Sequence, residues 1–364
     1  MKIGILTHYD VNNQGAQLQL YAMRAWLMEH GHDVCILSYT KNFDFDKNEE
    51  KKNSGSFLNF KYYIEEYLMK RGLGLTLFNT RKMITHRKLR SNIEMQPYDN
   101  NDCDAIIIGS DEVYSIDVGC NKMMYGNGLQ GKPAIAYAPA FGRTTIDLLK
   151  QYNCYDTVKT GLNSMYALSA RDTHTQEMIK EITGKDVPLV CDPVLLYSGE
   201  GFVSKALPIQ KDYMIVYSYD ANMNEEHEVK AIKEYARKHK LITVSLGTYH
   251  KWCDRNIVCN AIDWYGYFRN AKCVVTDTFH GTVVAMKNHC NVAVYIRKSI
   301  NSFKMQSLLE STGTQDRLLD EINYDSLEQV LSKQIDYETV DRHIINMAED
   351  SEKYLIKALG GIHE

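Results

Sequence analysis

Four segments of the chain place residues able to bind anions or move protons directly after a short apolar run. The clearest is Thr276-Asp277-Thr278-Phe279-His280-Gly281, which follows Cys273-Val274-Val275. Histidine is the side chain whose ordinary pKa lies near neutrality, so His280 can give or take a proton. With Asp277 and Gly281 beside it and a helix about to start, it would also face an anion-binding helix end. The plainer alternative is a histidine that only hydrogen-bonds a neighbouring backbone group. A second segment is Gly109-Ser110-Asp111-Glu112. There Asp111 can accept a hydroxyl proton or fix a sugar, or Ser110 or Asp111 can simply cap the next helix. In Ser169-Ala170-Arg171-Asp172, Arg171 offers a planar fork for carboxylate or phosphate. It could equally form a surface arrangement with Asp172, with Asp172 or Thr173 as a cap. The fourth, Asn12-Asn13-Gln14-Gly15-Ala16, sets Asn13 and Gly15 at a strand-to-helix junction. Backbone N–H groups there favour phosphate, and a glycine permits close approach. The segment is neither GxGxxG nor a P-loop, and an ordinary cap with Gly15 in a tight turn fits it too. His86, His174, His239 and His289 lie in polar, surface-like contexts and are assigned no chemistry.

These segments need a scaffold that brings them together. Lys2 to Thr7 reads as a buried strand, followed by a helix with Leu18, Tyr21, Ala22, Ala25 and Trp26 on one face. Gly31 ends that helix, and Asp33 to Tyr39 is the next strand. Residues 41–100 are Lys- and Asn-rich and read as an insertion of helices and loops, with turn signals at Asn53-Ser54-Gly55 and an amphipathic stretch from Phe57 to Met69. Strand patterns resume at Ala105–Ile108, Ala134–Ala138, Met165–Ser169 and Pro188–Cys191, with a helix at Ile146–Gln151. After a polar boundary at Tyr197–Lys211, a second series opens. It runs strand 213–219, helix 225–239, strand 241–246, helix 262–270, strand 272–277, helix 282–287 and strand 291–296. The expected division is an N-terminal domain over 1–205, a C-terminal domain over 206–335, and a last helix in 336–364 that packs back on the first domain. Alternating strands and helices imply an open parallel α/β sheet in each half. Such sheets bind ligands beyond the carboxyl ends of their strands, where all four segments would lie.

Composition narrows the function classes. The 364 residues suit two domains, and 44% hydrophobic with 24% charged residues suits a soluble globular enzyme. A net charge of -4 provides no global attraction for nucleic acid, so none is expected as a partner. The nine cysteines are odd in number, scattered and never CxxC, which points to reduced buried thiols and to no metal site. The N-terminus lacks a signal-peptide pattern and no apolar run reaches the roughly 20 residues of a membrane span. A cytoplasmic location follows as the expectation, compatible with peripheral contact at the inner face of the membrane.

The segments also occur as an ordered set. Asn12-Asn13-Gln14-Gly15-Ala16-Gln17-Leu18-Gln19-Leu20-Tyr21-Ala22, Ile107-Ile108-Gly109-Ser110-Asp111-Glu112-Val113-Tyr114 and Ala136-Tyr137-Ala138-Pro139-Ala140-Phe141-Gly142 resemble the polysaccharide pyruvyl transferases. So do Leu168-Ser169-Ala170-Arg171-Asp172, Cys191-Asp192-Pro193-Val194-Leu195-Leu196 and Thr276-Asp277-Thr278-Phe279-His280-Gly281. The resemblance implies two Rossmann-like domains facing a cleft, a glycosyltransferase-B-like fold. It implies a donor substrate, phosphoenolpyruvate, with no cofactor, and an acceptor sugar of a cell-surface polysaccharide or its lipid-linked precursor. By motif match His280 and Asp111 are the catalytic candidates. Asn13, Gly15, Ser110, Arg171, Asp277, Thr278 and Gly281 are the substrate-binding candidates. Better-known members carry Arg-Leu-His where this chain has Thr278-Phe279-His280, so Arg297 or Lys304 would have to supply the missing cation. A nucleotide-sugar-dependent glycosyltransferase and a non-catalytic sugar- or nucleotide-binding protein of a polysaccharide assembly are the alternative expectations.

Overall fold

The computed structural model describes residues 1–40, 70–116, 121–297 and 302–362. Asn53-Ser54-Gly55, the Phe57–Met69 stretch and Cys120 lie outside those residues. Two parallel sheets organise the chain. In the first, β1 (Lys2–Leu6) lies between β2 (Asp33–Ser38) and β4 (Ala105–Ile108), with β3 (Met95–Pro97) and β5 (Ala134–Ala136) at the edges. In the second, β6 (Tyr213–Tyr217) lies between β7 (Ile242–Leu246) and β9 (Cys273–Thr276). Here β8 (Arg255–Ile257) flanks β7, and β10 (Asn291–Tyr295) and β11 (Leu318–Leu319) extend from β9. The central strands are continuous apolar runs because helices cover both of their faces. Strand order reverses between β1 and β4 and again between β6 and β9. Those two switch points are where crevices open in sheets of this kind.

Helix α1 (Gln14–Glu29) ties the halves together. It packs on β2 of its own sheet and against helices Ala261–Phe268 and Phe279–Lys287 of the other. One apolar core accordingly runs from Ile3 and Leu18 through Trp264 and Val274 to Leu359. The last helix, Tyr337–Gly360, returns to the first sheet, where Tyr354 donates to the carbonyl of Ala136 at 2.9 Å and Ser351 accepts from the backbone of Cys191 at 2.8 Å.

Several sequence-based expectations need correction. Met165–Ser169 and Pro188–Cys191 form only isolated bridges, Ile135 with Ala167 and Ala170 with Leu189. The insertion contributes β3 to the sheet as well as the helix Lys70–Arg90, which is broken at Gly72 (φ 79°, ψ 156°) and runs on unbroken after it. The helix expected from Thr282 begins at Phe279, so His280 sits inside its first turn and not before it. His86 is fully buried instead of lying at the surface. The described cysteines are free and buried.

Candidate active site

Two helix N-termini from opposite halves meet at the cleft. Asn13 caps α1, its side chain accepting from the N–H of Ala16 at 3.1 Å. Thr278 caps helix Phe279–Lys287 by accepting from Gly281 N at 3.1 Å, and its hydroxyl lies 2.9 Å from that of Thr276. Capping of this kind satisfies some of the first-turn donors and leaves others aimed outward. The imidazole of His280 rests directly on the first turn of α1. A methyl group added at Gly15 would fall 2.3 Å from its Cγ and 2.4 Å from its Nδ1. Gly15 is therefore what lets the two helix ends approach.

Between them lies a cavity of about 190 Å³. His8, Val11, Asn13, Asp111 and Glu112 line it from the first half, and Tyr217, Tyr219, Thr278, Phe279, His280 and Lys304 from the second. Lys304 reaches across to Glu112, with Nζ 2.8 Å from Oε1. The Nε2 atom of His8 is 3.3 Å from the Glu112 carbonyl. Asp111 stands in a left-handed backbone conformation at φ 77°, which non-glycine residues seldom adopt, and it lines the cavity.

A buried charge network supports this wall. Arg171 donates from Nη1 to Asp192 Oδ2 at 3.2 Å and lies 3.6 Å from Asp111 Oδ1. His280 Nε2 is 3.4 Å from the same Asp192 oxygen, close enough for charge attraction but not aligned as a hydrogen bond. Ser110 donates its hydroxyl to the Ala138 carbonyl at 3.1 Å and stands 3.4 Å from Asp192. Burial alone would raise the pKa of Asp111, but Arg171, His280, Lys304 and His8 together outweigh it and hold it well below the usual carboxylate range. Asp192 is likewise kept ionised: burial opposes this, and His280 and Arg171 prevail. The guanidinium of Arg171 is covered by the ring of Phe279, 4.6 Å from the ring centre.

A family model described as polysaccharide pyruvyl transferase matches residues 13–299. The chain belongs to that family. No curated protein matches it by sequence. Among solved structures it is similar to Arabidopsis thaliana UGT89C1 complexed with UDP, at TM-score 0.54 and 10% identity, covering 100% of this chain and 99% of that one. It is also similar to S. aureus MnaA with UDP, at TM-score 0.50 and 10% identity, covering 100% and 98%. At such identity the likeness concerns the fold, which is glycosyltransferase-B-like. The matched span contains every lining residue of the cavity except His8 and Val11, which lie in the loop after β1, and Lys304.

For this pyruvyl transferase family member, the residues singled out from sequence separate into two groups. Asn13, Asp111, Thr278, His280 and Lys304 line the cavity, and Gly15 sets its width. Ser110, Arg171, Asp277, Gly281 and Arg297 do not line it. Arg171 is 2% exposed at its side chain and acts through Asp111 and Asp192. Asp277 accepts from Ser218 at 2.6 Å, from Asn222 at 2.8 Å and from Arg297 Nε at 2.6 Å. Arg297 also binds Glu228 at 2.9 Å, so both its faces are committed to this structural pair. Gly281 fits under Thr276 and Thr278, where a Cβ would lie 2.4 Å from a hydroxyl. Of the two cations expected to compensate for Thr278, Lys304 lines the cavity, its Nζ 5.8 Å from the Phe279 ring centre, and Arg297 does not.

Sequence reasoning passed over Asp192, His8, Glu112, Tyr217 and Tyr219. In the sequence Asp192 appears only within the run Cys191–Leu196; in the structure it caps the short helix that starts at Pro193, accepting from Val194 N at 3.0 Å. Its other oxygen is what joins Arg171 to His280, and no local signal carries that. His8 and Tyr219 each follow a strand of a switch point, a positional signal that the sequence did contain.

Proposed function

We propose that the chain transfers the pyruvyl group of phosphoenolpyruvate to two hydroxyls of a sugar, forming a ketal on a polysaccharide or its lipid-linked precursor. The observation that carries this reading is the size and make-up of the cavity. Pockets for drug-sized ligands run to about 300–1,000 Å³, whereas this one holds about 190 Å³. That volume suits a compact donor better than a nucleotide sugar. Two helix N-termini, Lys304 and a histidine converge on it, as a small molecule with a carboxylate and a phosphate requires.

In the reaction, protonated His280 delivers its proton to the donor methylene, which becomes a methyl group while positive charge develops on the adjacent carbon. A sugar hydroxyl attacks that carbon and passes its proton to ionised Asp111. Asp111 returns the proton to the phosphate as its bond to carbon breaks, and the second hydroxyl closes the ketal, its proton going to neutral His280. The proton count balances, and His280 ends protonated and Asp111 ionised, as they began. Asp192 and Arg171 hold His280 and Asp111 in register, and Lys304 with the helix ends supports the departing phosphate. No cofactor takes part in this scheme.

The test is thermal stability in the presence of donors. A ligand at ten times its Kd stabilises the folded state by about 1.4 kcal/mol. Millimolar phosphoenolpyruvate should raise the melting temperature, and UDP- and GDP-sugars should not. A shift with a nucleotide sugar and none with phosphoenolpyruvate would replace this reading with that of a glycosyltransferase.

A further inference from the structure

The helix Lys70–Arg90 lies against both halves at the mouth of the cleft. Phe78 packs on Tyr249, with ring centres 5.5 Å apart, and Asn79 lies 3.5 Å from Asp220, both partners in the second half. Further along, His86 Nε2 is 3.4 Å from the Gln14 amide, and Arg90 binds Asp10 at 2.6 Å, both in the first half. Phe78, Lys82, His86 and Arg90 are buried, and they fix how the helix is rotated.

The opposite face is turned to solvent. With 3.6 residues per turn, Leu73, Leu77 and Ile84 fall within about 40° of one another. They are 65%, 58% and 58% exposed. Arg81 and Lys88 flank this apolar stripe on one side and Arg87 on the other, all three exposed. Between Gly72 and Arg90 there is no acidic residue, although the chain as a whole carries a net charge of -4. An apolar stripe bordered by cations matches the boundary between anionic headgroups and acyl chains, where the stripe inserts and the cations meet phosphate. A protein partner would not demand a one-signed rim on an acidic molecule.

We propose that this face docks the protein on a bilayer surface rich in anionic phospholipid. The inner side of the same helix touches Asp10 and Asp220, next to the cavity-lining residues Val11 and Tyr219. Docking would therefore bring the cleft mouth to the membrane, where a lipid-linked acceptor is presented. The proposal stands without the donor assignment, and its test uses no substrate.

The experiment is co-sedimentation of the purified full chain with vesicles of phosphatidylglycerol and phosphatidylethanolamine, against vesicles of phosphatidylcholine. Binding is expected on the anionic vesicles only, and should weaken as salt is raised. Replacing Arg81, Arg87 and Lys88 with Gln should weaken it about a hundredfold, from roughly fivefold per cation. Leu73→Gln, Leu77→Gln and Ile84→Gln together should abolish it, with an unchanged melting temperature showing that the fold is intact. Equal binding to both vesicle types, no binding to either, or unaltered binding by both triple variants would overturn the proposal. So would a dimer that the Gln variants dissociate without any vesicle binding, since the face would then belong to a second copy.

Discussion

Gly15→Ala adds one methyl group at the point where the two helix ends touch. The new carbon would lie 2.3 Å from His280 Cγ, 2.4 Å from Nδ1 and 2.5 Å from Cβ. Ordinary contact between such atoms is about 3.5–4.0 Å, so the imidazole or the whole helix end must retreat by roughly 1–1.5 Å. A misplacement of about 1 Å at a reacting group costs on the order of a hundredfold in rate, equivalent to about 2.7 kcal/mol. Stability should change far less. Overpacking costs about 1–3 kcal/mol, while alanine in a helix gains roughly 0.5–1 kcal/mol over glycine. The assay is the initial rate of phosphate release from phosphoenolpyruvate with an acceptor glycan, beside a thermal melt. The expected result is a loss of about a hundredfold in turnover with a cooperative fold retained. In a His280→Ala background the same change should cost little more, because the group it displaces is already gone. Wild-type turnover in Gly15→Ala, or an equal loss in both backgrounds, would refute the placement of His280 against α1.

Two further predictions come from the buried charges. Asp192→Asn removes the carboxylate shared by Arg171 and His280, and breaking a buried pair costs about 3–5 kcal/mol. Chemical denaturation should show that loss along with lost turnover, and an unchanged midpoint would mean that the network is not a structural anchor. The second concerns His86, whose pKa is held down to about 3 by burial and by the neighbouring Lys82 and Arg90. Its folded pKa lies below the unfolded value of about 6.5, so the unfolded chain gains a proton first and stability falls as pH drops below neutrality. His86 should contribute about 2 kcal/mol of loss between pH 7 and pH 5, to which His250, its pKa also lowered by burial, adds; His86→Gln should therefore show a clearly shallower fall. Asp111 and Asp192, with depressed folded values, stabilise above about pH 4 and lose their contribution only below it, outside that window. Urea midpoints at the two pH values measure the effect, and parallel slopes in wild type and variant would reject it.

The amino-acid sequence alone determined the alternation of strands and helices, the two-sheet plan and the family. Apolar runs such as Ala105–Ile108 and Cys273–Thr276 become strands because a parallel strand buried on both faces needs no polar side, and that is a local property. The loops after those strands were found for the same reason, and with them Asp111 and His280. Short edge strands escaped notice: Arg255–Ile257 and Leu318–Leu319 carry too few residues for any periodicity and exist because a neighbour offers a free edge. The resemblance sets an arginine where Thr278 stands, and the sequence left Arg297 and Lys304 open as substitutes for it. Only the packing of one half on the other brought Lys304 to Glu112, pressed His280 onto Gly15 and set Asp192 between Arg171 and His280. Within the second half, the folding of its own segments bound Arg297 to Asp277 and Glu228, away from the cavity. Residue spacing encodes which face of an element is apolar. The partner of a buried charge depends on which distant segment arrives opposite it, and that was decided by the tertiary structure.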